Sequence, residues 1–405
     1  MFCRSVIFLF LFLFVSLNIA YSAQVYLWKQ AYDSATKQAL ECSAKNFEAI
    51  NFLCAKIIFK NSIPHLQECP INSEYLRPLE VNKIASFRIA TFDNSKKAYK
   101  EITESISEKI VNYGIAISKK TGATEIQIDF DCPISKLSNY ALWLKEIRDK
   151  LPRDMKLSIT AVISQMRAKD FQKLLPYCNY FVLQIHNISG GSKTLKIFDF
   201  RQSVEAVLEA DKFSKKFLVA LPTYSHFVKT NVGKIEKIYS ENFDVNLAKN
   251  TSDFTVVRAS PINVAQLRDT IANLKLKNYK GEIYYRLPCG NEISNWSMST
   301  LVNVSKNSAS SLHQKFEVII ERKQHIDEFF LCNTGNVDIY YPLNVQVNRQ
   351  NNNVYAEGVG DFILTSKKKI NNSLKLNFQT SSICFKIAPN ERVKIGWMRG
   401  VNSCK

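Results

Sequence analysis

The chain has 405 residues, of which 46% are hydrophobic and 12% aromatic, a composition that excludes a disordered protein and can fill a sizeable core. Its formal charge of +18 comes mainly from lysines scattered along the sequence. The densest groups, Lys119-Lys120 and Lys367-Lys368-Lys369, lack the arginine and aromatic interleaving of a base-stacking surface. Nucleic-acid binding is therefore not expected, and a solvated lysine-rich face resting near anionic envelope polymers accounts for the charge.

The first element in the chain is an export signal. Arg4 gives a positive start, residues 6–17 are a nearly unbroken apolar run too short to span a bilayer comfortably, and Ala20-Tyr21-Ser22 offers small residues for cleavage before Ala23. Residues 1–22 thus read as a signal peptide, with an uncleaved anchor as the alternative because Leu17-Asn18-Ile19 softens the boundary. The remaining chain of about 380 residues suits one large domain and one small one, exported to a periplasmic or extracellular location, with no further membrane segment.

From residue 25 onward, short β-branched or aromatic runs alternate with longer amphipathic ones. Strands are expected at 25–28, 55–59, 84–91, 125–130, 156–161, 180–184, 217–221 and 282–286, which makes eight. Helical stripes fall at 98–115, 200–212 and 263–276, and most clearly along Leu137, Tyr140, Leu144, Ile147 and Leu151. The fold class is therefore α/β, a (β/α)8 TIM-like barrel over residues 23–305. No GxGxxG or GxxxxGK[ST] follows any strand, which argues against a nucleotide-binding sheet. Residues 224–258 exceed what a helix needs and carry a strand-like piece at 253–258, read either as an elaborated loop over the barrel mouth or as a displaced seventh strand.

Beyond Ser311 the rhythm changes to short runs at 316–320, 329–332, 345–347, 362–365, 374–378 and 383–387, punctuated by turn residues. A small β-sandwich-like domain is expected over 312–405, with the polar stretch 303–311 as the boundary. Outside the signal stand Cys42, Cys54, Cys69, Cys132, Cys178, Cys289, Cys332, Cys384 and Cys404, an odd number without CxxC spacing. Cys332 with Cys384, or a pair among Cys42, Cys54 and Cys69, are candidate bridges; buried free thiols are the alternative.

In a barrel, reacting groups sit at the C-terminal ends of the strands. The sharpest feature there is Glu125-Ile-Gln-Ile-Asp-Phe-Asp131, in which Gln127, Asp129 and Asp131 share one face and Ile126, Ile128 and Phe130 the other. Carboxylates facing a lumen must find a partner or take up a proton, and two adjacent acids can have their proton affinities pushed apart, one ionised and one a proton donor. That arrangement suits glycosidic bond cleavage; the alternative is a buried ionic cluster of Asp129 and Asp131 with Arg88 and Arg286. Trp28, Arg88, Gln127, Gln184, His186, Tyr224 and Arg286 are the candidate substrate-binding residues, with Trp28, Tyr224 and Trp296 read either as sugar-stacking rings or as core. The five histidines are dispersed and none forms HExxH, so no metal and no cofactor is expected.

As a set, Gln127-Ile-Asp-Phe-Asp131, Leu157-Ser-Ile-Thr-Ala161, Gln184-Ile-His186, Leu221-Pro-Thr-Tyr224 and Tyr285-Arg-Leu-Pro288 resemble the motifs of a bacterial family of secreted proteins defined by a domain of unknown function. Val25-Tyr-Leu-Trp28 and Val257-Arg-Ala-Ser-Pro261 fit the same pattern, so the resemblance covers most of residues 24–290 and implies a glycosidase-like barrel. More distantly, the acidic strand is similar to the Asp-x-Asp-x-Glu strand of chitinase-type (family 18) glycoside hydrolases. If Asp129 and Asp131 match the two aspartates, Pro133 occupies the position of the catalytic glutamate; in the other register Gln127, Asp129 and Asp131 take the three inward positions and Asp131 is the acid at the strand end.

The expected function is that of a glycoside hydrolase-like secreted protein acting on a polysaccharide or cell-envelope glycan, with Asp131 as general acid and Asp129 as its electrostatic partner. Two readings from other classes stand beside it: a non-catalytic carbohydrate-binding barrel, and an envelope interaction protein that works through its C-terminal β domain.

Overall fold

The computed structural model describes residues 22–60, 63–90, 104–189, 195–231, 234–239, 254–350, 354–370 and 373–400. Residues 1–21 of the signal peptide expected at 1–22, Cys404 and the start of the helical stripe at 98–103 lie outside these residues. No described helix is long and apolar enough to cross a membrane.

In chain order the first half comprises β1 (Ser22–Leu27), α1 (Ser34–Asn46), β2 (Ala49–Lys60), β3 (Ile63–Glu68), α2 (Ser73–Leu76), β4 (Asn82–Ile89), α3 (Glu104–Thr121), β5 (Glu125–Phe130), α4 (Leu137–Lys150), β6 (Lys156–Val162), α5 (Ile163–Met166) and β7 (Tyr180–Gln184). There follow α6 (Phe200–Ala210), β8 (Phe217–Pro222), β9 (Ser225–Asn231), β10 (Lys234–Tyr239), β11 (Phe254–Arg258), α7 (Pro261–Asn273), β12 (Tyr279–Tyr285) and α8 (Met298–Lys306).

Eight of these strands pair in parallel in the order β1, β2, β4, β5, β6, β7, β8, β12, and β12 returns to β1, so the sheet closes into an α/β barrel of the TIM type. All eight expected strands are present, because each is buried on both faces and reads as a β-branched run. The hairpin strand β3 adds antiparallel to β2. Of the two readings for 224–258 the elaboration holds: β8 is the seventh barrel strand, and β9, β10 and β11 form a separate antiparallel sheet after it.

Strand and helix patterning lock together most visibly at β5 and α4. Ile126, Ile128 and Phe130 point outward, and Phe130 meets the rings of Tyr140 and Trp143 at 5.1 and 6.2 Å. Leu137, Tyr140, Leu144 and Ile147 form the buried stripe of α4, while Lys145 and Asp149 pair on its exposed side at 2.6 Å. On the lumen side Tyr26, Val182, Leu218, Ala220 and Ile283 fill one apolar layer.

One outward position breaks the apolar rule. Glu282 of β12 is 4% exposed, accepts a hydrogen bond from the Tyr279 hydroxyl at 3.1 Å, and has Arg268 of α7 as its nearest countercharge. Burial outweighs these partners and pushes its carboxyl up to about 7. The folded-state value lies above the unfolded one, so the stability it contributes is whole below pH 4.5 and is lost as pH rises through 7. Glu282→Gln is expected to match the parent at acid pH and to exceed it by on the order of 3 kcal/mol above pH 8, measured as denaturant midpoints across pH; parallel curves for the two chains would refute this.

The C-terminal part contains β13 (Phe316–Lys323), β14 (Ile326–Asn333), β15 (Ile339–Tyr340), β16 (Asn344–Arg349), β17 (Val354–Gly358), β18 (Phe362–Ile370), β19 (Ser373–Thr380), β20 (Lys386–Ile387) and β21 (Arg392–Gly400). They form antiparallel sheets in the orders β13-β14-β21-β17, β16-β19-β18 and β15-β20. Phe329, Leu331, Val345, Val347, Leu376, Phe378 and Ile395 build their common core. Gly396 is required there, since a Cβ would stand 2.4 Å from Phe378 Cε1.

Residues 303–311, expected as the domain boundary, comprise the end of α8 and a 3-10 turn at Ala309–Ser311. They are tied to the β region: Asn303 donates to the Asn336 carbonyl at 2.8 Å, and Ser297 to Asp338 at 2.6 Å. Leu312 and Val337 belong to the barrel's own core. All eight described cysteines are free, so neither candidate bridge, Cys332 with Cys384 nor a pair within Cys42, Cys54 and Cys69, is formed; most of these thiols are buried as small apolar groups.

Candidate functional site

Parallel pairing carries the C-terminal ends of all eight strands to one mouth of the barrel. On β4 and β5 the register places Arg88 directly beside Asp129. The Arg88 guanidinium forks between two carboxylates: Nη1 donates to Asp129 Oδ2 at 2.6 Å and Nη2 to Asp131 Oδ2 at 2.8 Å. Asp129 is almost fully enclosed and its remaining oxygen accepts from the Thr160 hydroxyl at 2.8 Å and Gln184 Nε2 at 3.2 Å. Asp131 is different, with its side chain 35% exposed at the strand end and Oδ1 without a hydrogen bond among the described residues.

One cation against two carboxylates leaves the group a single excess negative charge. Burial raises the Asp131 carboxyl above its ordinary range; Arg88 opposes that shift and Asp129 adds to it. The two acidic partners in turn hold Arg88 above its usual value in spite of its own burial. The result is one carboxylate fixed by three donors and one open carboxyl with raised proton affinity.

These groups line a cleft of about 860 Å³, together with Trp28, Gln184 and His186. Its aromatic wall is a cluster in which Trp28 meets Tyr26 and Tyr285 edge-on at 5.7 and 5.6 Å. His186 stacks on Tyr285 with ring centroids 5.4 Å apart, and its Nδ1 lies 3.1 Å from the Tyr224 hydroxyl. Burial lowers the imidazole to about 4, so at neutral pH it is uncharged. The Nδ1–Tyr224 contact can run in either direction with the tautomer, and the buried Nε2 has no hydrogen-bond partner among the described residues.

Six of the nine candidate residues therefore meet in one cleft: Trp28, Arg88, Asp129, Asp131, Gln184 and His186. Gln127 lies below it in a polar layer, accepting from the Tyr26 hydroxyl at 2.6 Å and Asn51 at 2.9 Å and donating to Ser158 at 3.1 Å. Tyr224 stands behind His186. Arg286 turns away from the aspartates and faces Ser294 at 3.1 Å and Glu292 at 3.6 Å, so it has no part in the ionic cluster expected to include it. Trp296 is core, 1% exposed, with its Nε1 bonded to the Ala259 carbonyl at 2.8 Å. Tyr26 and Tyr285 were not singled out from sequence; both lie on lumen positions that alternate with the outward face, Tyr26 two residues before Trp28 and Tyr285 two after Ile283.

Residues 83–290 match the family described as Domain of unknown function (DUF3142). No curated protein matches the chain by sequence. Among solved structures, the spore cortex-lytic enzyme SleL of Bacillus cereus superposes with a TM-score of 0.53 at 13% identity, covering 71% of this chain and 74% of that one. SleL of Bacillus megaterium QM B1551 gives 0.51 at 13% identity over 66% and 70%. A mutant of the class V chitinase of Nicotiana tobaccum in complex with NAG4 gives 0.50 at 12% identity over 71% and 99%. At such identities the likeness is one of fold.

Proposed function

The chain belongs to the DUF3142 family, and from that premise we propose that it is a glycoside hydrolase-like exported protein acting on a polysaccharide or cell-envelope glycan. The observation that carries this reading is the unequal carboxyl pair on one guanidinium: Asp129 enclosed and saturated, Asp131 open to the cleft with raised proton affinity. Asp131 donates its proton to the glycosidic oxygen as the bond to the anomeric carbon breaks, Asp129 in its pair with Arg88 lies beside the positive charge that develops on the sugar, and water then adds to the anomeric carbon and returns a proton to the Asp131 carboxylate. Arg88 holds both carboxylates in place. Gln184 and His186 Nε2 meet sugar hydroxyls by hydrogen bonds, and Trp28 offers a ring for stacking. The fold relatives named as a cortex-lytic enzyme and as a chitinase in complex with NAG4 support a glycan as the substrate class.

Trp28→Ala is expected to raise KM about tenfold with a smaller effect on kcat, because stacking acts alike on bound substrate and transition state; an unchanged KM would remove Trp28 from the binding surface. The function itself is tested by release of reducing ends from peptidoglycan, chitin oligosaccharides and acidic polysaccharides incubated with the exported chain. Turnover of any of them supports the reading. Binding without turnover selects the second reading, a carbohydrate-binding barrel without chemistry, which draws support from Pro133 following the acidic strand and from the ion pairs that already engage both aspartates.

A further inference from the structure

We propose that the outer face of the C-terminal sheet, at the β17–β21 edge, is a second binding surface for an acidic polysaccharide, separate from the barrel cleft. Tyr355 and Trp397 stand on adjacent strands of that edge, where Arg399 pairs with Tyr355 and Trp397 with Glu357. Their rings are 5.5 Å apart and tilted by 44°, and Tyr355 is 53% exposed. Two tilted rings offered on a flat sheet fit the C–H faces of successive sugar rings, which stack on aromatic faces without needing a deep pocket.

Charge decides which polysaccharide. Elsewhere on this face the ions are matched: Glu328 is held by Lys323 at 2.7 Å and by Lys394, and Glu321 by Arg392 at 2.6 Å. At the Tyr355 end they are not. The Arg399 guanidinium lies 5.9 Å from the Tyr355 ring. Lys367 reaches the Val354 carbonyl, one residue before Tyr355, and Lys369 lies on the same side of β18 as Lys367. None of these three cations forms an ion pair among the described residues. Glu357, opposite Trp397, is a single carboxylate set against these three cations, so a ring stacked on Tyr355 and Trp397 would carry its acidic substituent into a net positive field, which favours a uronate-type polymer over a neutral one.

The test is adsorption of the full exported chain to immobilised polygalacturonate, with dextran and a single-stranded RNA as comparison probes. The expected result is salt-sensitive retention on polygalacturonate, weaker retention on dextran, and loss of about tenfold in affinity for Tyr355→Ala/Trp397→Ala. Arg399→Gln/Lys369→Gln, both at exposed tips, should weaken binding about fivefold and flatten its salt dependence. Circular dichroism melts of each variant separate lost binding from lost fold, and the exposed-tip pair keeps the test decisive where the aromatic pair unfolds. Adsorption retained by Trp28→Ala, which removes the stacking ring of the cleft, supports a surface apart from it; adsorption lost in that chain assigns the polymer to the cleft and overturns the proposal. Preference for RNA, or undiminished adsorption by both folded variants, overturns it as well.

Discussion

Asp131→Asn should lower kcat on a hydrolysed glycan by about 10²- to 10⁴-fold while leaving the fold intact. Asparagine keeps an oxygen for Arg88 Nη2, now 2.8 Å from Asp131, but it has no proton to give. The side chain is 35% exposed and sits beside a second acid, so neutralising it relieves repulsion and costs little stability. In the parent chain the acid must be protonated to act. Because burial raises its proton affinity, activity should persist above the ordinary carboxylate range and fall as pH rises through the raised value. That alkaline limb should vanish with the substitution. A folded Asp131→Asn chain of parental activity would exclude Asp131 as the acid.

The second large effect is expected at Arg88. Arg88→Met leaves Asp129, 3% exposed, with Thr160 and Gln184 but no cation, and breaking one side of a buried pair costs about 3–5 kcal/mol. Chemical denaturation of Arg88→Met should show that loss, and Arg88→Met/Asp129→Asn should recover most of it, because the stranded charge is then gone. The same substitution removes the one influence that opposes burial at Asp131, so any remaining activity should have its alkaline limb displaced to higher pH. Unchanged stability in Arg88→Met, or a double variant no better than the single, would show that the guanidinium is not what holds Asp129.

The barrel was legible because each of its strands is buried on both faces, and β5 was the most legible of all, because polar residues at alternate positions of a lumen strand demand a partner. What could not be read was which partner. Arg88 lies 41 residues before Asp129 and meets it only through the register of β4 on β5. Arg286 misled because it follows a strand end by name but not by face: Ile283 and Tyr285 look into the lumen, which turns Arg286 toward Ser294. The same parity would have placed Tyr285 on the cleft wall. In the C-terminal sheets, β21 escaped notice because Gly396 and its charged neighbours interrupt the alternation, although packing against Phe378 is what requires the glycine. The helical structure within the polar stretch at 303–311 was not legible because its serines and asparagines are spent on helix ends and on contacts to Asn336.

The most direct measurement pairs a glycan array with a hydrolysis screen, run on the parent chain and on Asp129→Asn/Asp131→Asn side by side. The account predicts that both bind the same glycan, that the parent cleaves it, and that the double variant does not. A double variant that hydrolyses at the parental rate would contradict the assignment of the chemistry to this carboxyl pair, and binding by both chains with turnover by neither would contradict catalysis itself.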